Sequence, residues 1–205
     1  PIRPCMLIKT DAFGNELWRK KINKTGDNVS DGKVIIQDTA TGKIVIAGYQ
    51  YVGSPSSSSL RDHILITDSL GNKLVQRTFY GPQFCDYNDL IQTKDKNVVV
   101  VGGAYKNQTI GSNNVMCSFI AKININMSQS DPLIWSNSNF DSPELLNLFS
   151  CINELPNGDL LIGGVIDTLS VVQNWSLIRI SRLNSNGTLI SQRYYDYKIN
   201  APALD

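Results

Sequence analysis

The single histidine of this chain, His63, directly follows Asp62, so any histidine-based catalytic triad would have to run through it. The plainer expectation is that Asp62 caps the entrance of a strand and His63 lies on that strand's surface. One histidine also excludes a histidine-rich metal site. Asp89, Glu144, Glu154 and Asp159 could pair for glycosidase chemistry, but that needs two carboxylates at a set separation, which spacing in sequence does not give. No acidic run forms the Asp-x-Asp-x-Asp-Gly ladder of a calcium loop. No Gly-x-x-x-x-Gly-Lys or Gly-x-Gly-x-x-Gly phosphate cradle is present, and Thr10-Asp11-Ala12-Phe13-Gly14 has the wrong offsets for a Ser/Thr-x-Asp-x-Gly box. Cys5, Cys85, Cys117 and Cys151 are 80, 32 and 34 residues apart, too far for a zinc knuckle or a Cys-x-x-Cys site. Cys117 and Cys151 sit in apolar runs and are expected as buried thiols, with one or two disulfides as the alternative. These residue types point to no catalytic centre, no metal site and no cofactor.

Composition narrows the classes further. Hydrophobic residues make up 41% and charged residues 18%, a globular composition whose polarity is mostly uncharged. The net charge of +1 leaves no broad basic surface for nucleic acid. The one basic run, Trp18-Arg19-Lys20-Lys21-Ile22, reads as a strand with Arg19 and Lys21 facing out. No apolar stretch approaches the ~20 residues of a membrane-spanning helix, so no membrane span is expected. Pro1-Ile2-Arg3-Pro4-Cys5 is not a signal peptide, which suggests that the chain begins inside a mature protein.

The elements that must position these residues are strands, and they repeat. Asp11-Ala12-Phe13-Gly14-Asn15, Asp68-Ser69-Leu70-Gly71-Asn72 and Asn184-Ser185-Asn186-Gly187-Thr188 are versions of one turn. Gly14 and Gly71 are 57 residues apart, and Gly71 and Gly187 are 116 apart, twice 58. A fixed period in this range marks a repeat architecture. Strands are expected at Met6–Thr10 and Glu16–Ile22, then in three sets of four. The first set is Lys33–Thr39, Lys43–Tyr51, His63–Asp68 and Lys73–Tyr80. The second is Asp89–Thr93, Asn97–Tyr105, Cys117–Asn124 and Leu133–Asn137. The third is Leu148–Glu154, Asp159–Ile166, Trp175–Leu183 and Leu189–Tyr195. Leu145 to Phe149 is the best local helix candidate. Small residues recur in each second strand as Ala47-Gly48, Gly102-Gly103 and Gly163-Gly164, where glycine lets two backbones approach. Four-stranded sheets of this size must stack to bury both faces. The fold expected is all-β: a β-propeller of four-stranded antiparallel blades, about three and a half of them present. Its units are residues 1–30 (half a blade), 31–81, 82–140 and 141–205, within one propeller domain that is expected to be a fragment of a larger one.

The order of strands, glycine pairs and glycine turns resembles the bacterial propeller repeats often called SBBP repeats, and the glycine pairs are similar to kelch units. The closest stretch is Asp62-His63-Ile64-Leu65-Ile66-Thr67-Asp68-Ser69-Leu70-Gly71-Asn72, followed by Phe79-Tyr80-Gly81. Asp11-Ala12-Phe13-Gly14-Asn15-Glu16-Leu17-Trp18 is similar to the tryptophan docking segment of quinoprotein-type propellers, although Val75 stands where the next unit would repeat Trp18. Asp38-Thr39-Ala40, Asp68-Ser69-Leu70 and Asp167-Thr168-Leu169 look like Bacteroidota O-glycosylation signals, and Asp-Ser/Thr is also ordinary turn chemistry. The resemblance implies a secreted or cell-surface bacterial protein of the kind exported by type IX secretion.

Parity of a four-strand meander assigns every connection to one of two ends. Connections one-to-two and three-to-four are short, apart from Ile125–Pro132. Connections two-to-three and four-to-one are longer: Val52–Asp62, Lys106–Val115, Asp167–Asn174, Gly81–Asn88 and Asn23–Asp31. Ser54 to Arg61 is expected to be mobile. Repeat proteins usually bind through the face whose loops grow. Tyr49, Tyr51, Arg61, His63, Tyr105, Lys106 and Trp175 flank these loops and are the candidate binding residues for a protein or glycan, with inter-blade packing as the competing role. The expected function is a non-catalytic scaffold or binding module whose further partners are the remaining blades of the same protein. The alternative is part of a propeller enzyme, a quinoprotein-like oxidoreductase or a hydrolase, with its active residues elsewhere.

Overall fold

Short apolar or alternating runs, bounded by Gly, Asn and Asp, recur along the chain and favour extended backbone. The computed structural model describes residues 5–22, 29–52, 59–79, 85–106, 115–126, 133–138, 145–168 and 175–196, and among them it contains fourteen β-strands and no helix. β1 (Cys5–Thr10) and β2 (Glu16–Ile22) form a two-stranded sheet. β3 (Val29–Gln37), β4 (Ile44–Val52), β5 (Ser59–Thr67) and β6 (Lys73–Phe79) form the second sheet. β7 (Cys85–Gln92), β8 (Val98–Lys106), β9 (Val115–Ile123) and β10 (Leu133–Asn137) form the third. β11 (Leu145–Glu154), β12 (Leu160–Thr168), β13 (Trp175–Leu183) and β14 (Leu189–Asp196) form the fourth. Each four-stranded sheet is an antiparallel meander in chain order.

Two expectations need correction. Leu145 to Phe149 is not helical; it opens β11 and pairs with Thr168 to Gly164. The strands also run further toward the long connections than apolar alternation suggests. β4 and β5 pair as far as Val52 and Ser59, so Asp62 and His63 lie inside β5 rather than at its entrance. Ladder hydrogen bonds need backbone, not apolar side chains, so pairing outlasts the sequence signal. Of the segment expected to be mobile, Ser59 to Arg61 are part of β5, and 54–58 lie outside the described residues.

Each first strand carries one extra residue at the same place. The register slips between Gly32 and Val34, between Tyr87 and Asp89, and between Phe149 and Cys151. Facing these bulges are Gly48, Gly102 and Gly164. A β-carbon on them would lie 1.8, 2.0 and 2.2 Å from the carbonyl oxygens of Asp31, Asp86 and Leu148. No side chain fits there, which is why the second strand of every unit keeps a glycine at this point.

Alternation then buries both faces of the middle sheets. Leu7, Ile22, Ile44, Ile46 and Leu65 join the first sheet to the second. Val45, Ala47, Ile64 and Ile66 face Leu90, Val98, Val100 and Ile123 of the third. Val99, Val101 and Ile120 meet Phe149, Ile152, Leu160 and Ile162 of the fourth. β7 lies against β3 and β4, and β11 against β7, β8 and β9. The outer faces of the stack stay exposed at Met6 and Ile8 on β1, and at Leu161, Val165, Ile178 and Ile180 on the last sheet. Cys5 and Cys117 are buried free thiols, as expected for Cys117. Cys151 is free but exposed, because no described sheet covers its side of β11. No helix among the described residues is long and apolar enough to cross a membrane.

The three glycine turns are built alike. The carboxylate of Asp11 accepts from the backbone N–H of Phe13 and Asn15, both at 2.9 Å. Asp68 accepts from Leu70 and Asn72, and Asn184 Oδ1 from Asn186 and Thr188. Each glycine then turns left-handed, with φ of 86°, 76° and 80° at Gly14, Gly71 and Gly187.

Candidate functional site

Short turns occupy one end of the stack, and that end is a structural seam. Lys20 Nζ donates to Asn72 at 3.2 Å, Gln92 Nε2 to Asp38 at 2.8 Å, and Lys43 Nζ to Asn126 at 3.2 Å, each crossing to the adjacent sheet. The Thr41 hydroxyl, aided by Gln92 and two backbone N–H groups, holds the Asp38 carboxyl down at about 2. Lys122 is buried and reaches Asp95 at 2.6 Å. Burial alone would raise the Asp95 carboxyl; Lys122, Thr93 and Asn97 outweigh it and hold the group well below the usual carboxylate range.

Three of the four carboxylates considered for glycosidase chemistry are likewise engaged in hydrogen bonds or ion pairs. Asp89 accepts from the N–H of Ile152 at 2.9 Å, across to the next sheet. Glu154 accepts from the N–H of Lys94 at 2.9 Å. Asp159 is paired with Arg182 at 2.6 Å and bonded to Asn157. Glu144 lies outside the described residues. Among the described residues no group of three His, Cys, Asp or Glu side chains is placed to hold a metal.

The opposite end carries the longer connections and the inner-strand bulges. Tyr49 and Tyr51 pair with Asp62 and Leu60, while Gln50 and Gly48 pair with Arg61 and His63. Tyr105 and Lys106 pair with Met116 and Val115 in the next sheet, and Trp175 with Thr168 in the last. The structure therefore brings the seven candidates to one end of three successive sheets. Side chains are described for two of them. Lys33, the extra residue of its bulge, places its Nζ 5.2 Å from the centre of the Tyr49 ring and 3.8 Å from an Asp86 carboxylate oxygen. This Lys33–Tyr49–Asp86 group joins two sheets beside the bulges. Sequence reading found Tyr49 but missed Lys33 and Asp86, because a bulge leaves no composition signal beyond the glycine opposite it.

His63 is not strand surface: it is 1% exposed, and neither ring nitrogen has a hydrogen-bond partner among the described residues. Burial, reinforced by the charge of Lys73, pushes its pKa down to about 4. It cannot meet a ligand at this end. The equivalent position holds Phe119 in the next sheet and Arg179 in the last, each paired with a bulge glycine. Phe119 packs 6.1 Å from Tyr87. Arg179 is buried, sits 4.1 Å over the Phe149 ring and donates to the Ser118 hydroxyl of the preceding sheet. This position is buried or half-buried in all three units, and in the last it bridges to the preceding sheet.

No protein-family model matches this chain, and none of the curated proteins matches it.

Proposed function

We propose that this chain is a non-catalytic scaffold segment of a β-propeller, binding protein or glycan through the end that carries its longer connections. The observation that carries the reading is the division of labour between the two ends. At the short-turn end, carboxylates and lysines are spent in turn bonds and inter-sheet bridges. At the other end, bulged inner strands present Lys33, Asp86 and the half-buried Tyr49 beside the connections. Bulges re-aim side chains and commonly lie beside functional surfaces, and connections on a rigid scaffold carry recognition. Face-to-face stacking of four-stranded sheets supports the propeller part of the reading.

The test is a glycan array and a displayed peptide library, probed with the chain and with a variant whose residues 53–58, 107–114 and 169–174 are replaced by short Gly/Ser links. Binding lost in a variant that keeps its cooperative melting transition supports the reading. Undiminished binding removes this end from contention.

A further inference from the structure

The stack has a matching rule between neighbouring sheets. The ring of Trp18 on β2 lies 2.8 Å from where a β-carbon on Gly71 of the next sheet would stand, and the ring of Trp135 on β10 lies 2.7 Å from the same point at Gly187. Where the second sheet has Val75 instead of tryptophan, the facing turn lacks the glycine and carries Ile125, 2% exposed, in the apolar cluster against which Val75 packs. A large ring thus goes with glycine, and a small aliphatic with a bulky turn residue. Both open ends can be read by this rule. At Gly14, the first of the three equivalent turns, nothing among the described residues lies within 4 Å of the β-carbon position, and the neighbouring Phe13 is 92% exposed. At the other end, Ser191 holds the position of Trp18 and Trp135, paired with Arg182 as they are with Lys9 and Lys122, and is exposed.

We infer that the turn at Gly14 is an open tryptophan socket, and that its occupant is a further four-stranded repeat of the same protein bearing tryptophan at the position of Trp18. The inference rests on the stacked-repeat reading above. A second copy of this chain is not the occupant, because the sheet it would offer carries Ser191, which leaves a glycine turn unfilled. The surface continues an interface the chain already makes twice.

The socket is tested with a tryptophan supplied by the chain's own last sheet. Sedimentation equilibrium is compared for the wild type, Ser191→Trp, and Ser191→Trp with Gly14→Asn; asparagine tolerates left-handed φ while its side chain fills the socket. The expected result is self-association at least tenfold tighter in Ser191→Trp than in the wild type, reversed by Gly14→Asn. Association no tighter than wild type, or tightening that survives Gly14→Asn, overturns the socket. Loss of the Trp18–Gly71 contact in the wild-type chain would instead overturn the stacked-repeat reading itself.

Discussion

Trp18 and Gly71 belong to different sheets, yet the indole Cη2 sits 2.8 Å from the point a β-carbon on Gly71 would occupy. Gly71 is needed twice over, for its φ of 76° and for the absence of a side chain beneath the ring. Gly71→Ala should cost about 2 kcal/mol, roughly half from left-handed strain and half from displacing the indole. Trp18→Ala should cost a similar amount. Because both act on one contact, the double variant should be less destabilised than the sum, as measured by a urea-denaturation double-mutant cycle. Strict additivity would mean that the two residues do not meet.

Adjacent glycines in β12 should behave very differently. A β-carbon on Gly164 would lie 2.2 Å from the Leu148 carbonyl oxygen, which belongs to the backbone and cannot yield without breaking the bulge. A β-carbon on Gly163 would meet only the Cys151 sulfur, at 2.8 Å, on an exposed side chain free to rotate. Gly164→Ala should therefore cost roughly 3 kcal/mol or more, and Gly163→Ala less than about 1 kcal/mol. Chemical denaturation of the two variants checks this, and similar losses would deny the bulge its role.

The turn carboxylates predict which substitution is tolerated. Asp68 satisfies the N–H groups of Leu70 and Asn72, and its second oxygen accepts from the Asn72 amide. Asp68→Ala should lower the melting temperature, because two backbone N–H groups of the turn lose their acceptor. Asp68→Asn should be close to neutral, since Asn184 makes the two backbone bonds in the last sheet with an amide oxygen. Thermal melts separate these outcomes.

Acid should unfold the chain in two stages. His63 takes up a proton near pH 6.5 when unfolded but only near 4 when folded. Between these values the unfolded state binds more protons, so stability is complete above about pH 6.5 and falls as pH drops toward 4, by about 3 kcal/mol. Asp38 acts lower: its folded value is about 2, so its contribution is present above 3.8 and is lost below that. His63→Phe, copying Phe119 at the equivalent position, should abolish the upper stage and leave the lower one. An unchanged slope between pH 6.5 and 4 would place the sensitivity elsewhere.

All fourteen strands and their grouping were legible in the sequence, because the apolar period and the Asp/Asn-to-glycine turns are local signals. The glycine pairs announced a close backbone approach, though not that a bulge causes it, since Lys33, Asn88 and Ser150 share no residue type. The candidate site was legible only in part. Placing Tyr49, Tyr105 and Trp175 at one end needed only strand parity. Placing His63 at the surface failed because the strand runs through it, and a stacked sheet buries both of its faces. Lys33 and Asp86 come together across two sheets, and no local pattern encodes such a pair.

Neighbouring sheets dock ring to glycine, and a nuclear Overhauser spectrum of the folded, isotope-labelled chain reads that docking atom by atom. It should show cross-peaks from the Trp18 ring protons to a Gly71 α-proton and from Trp135 to Gly187, with no indole cross-peak at Gly14. A well-dispersed spectrum lacking both pairs of cross-peaks would contradict the stacked-sheet account.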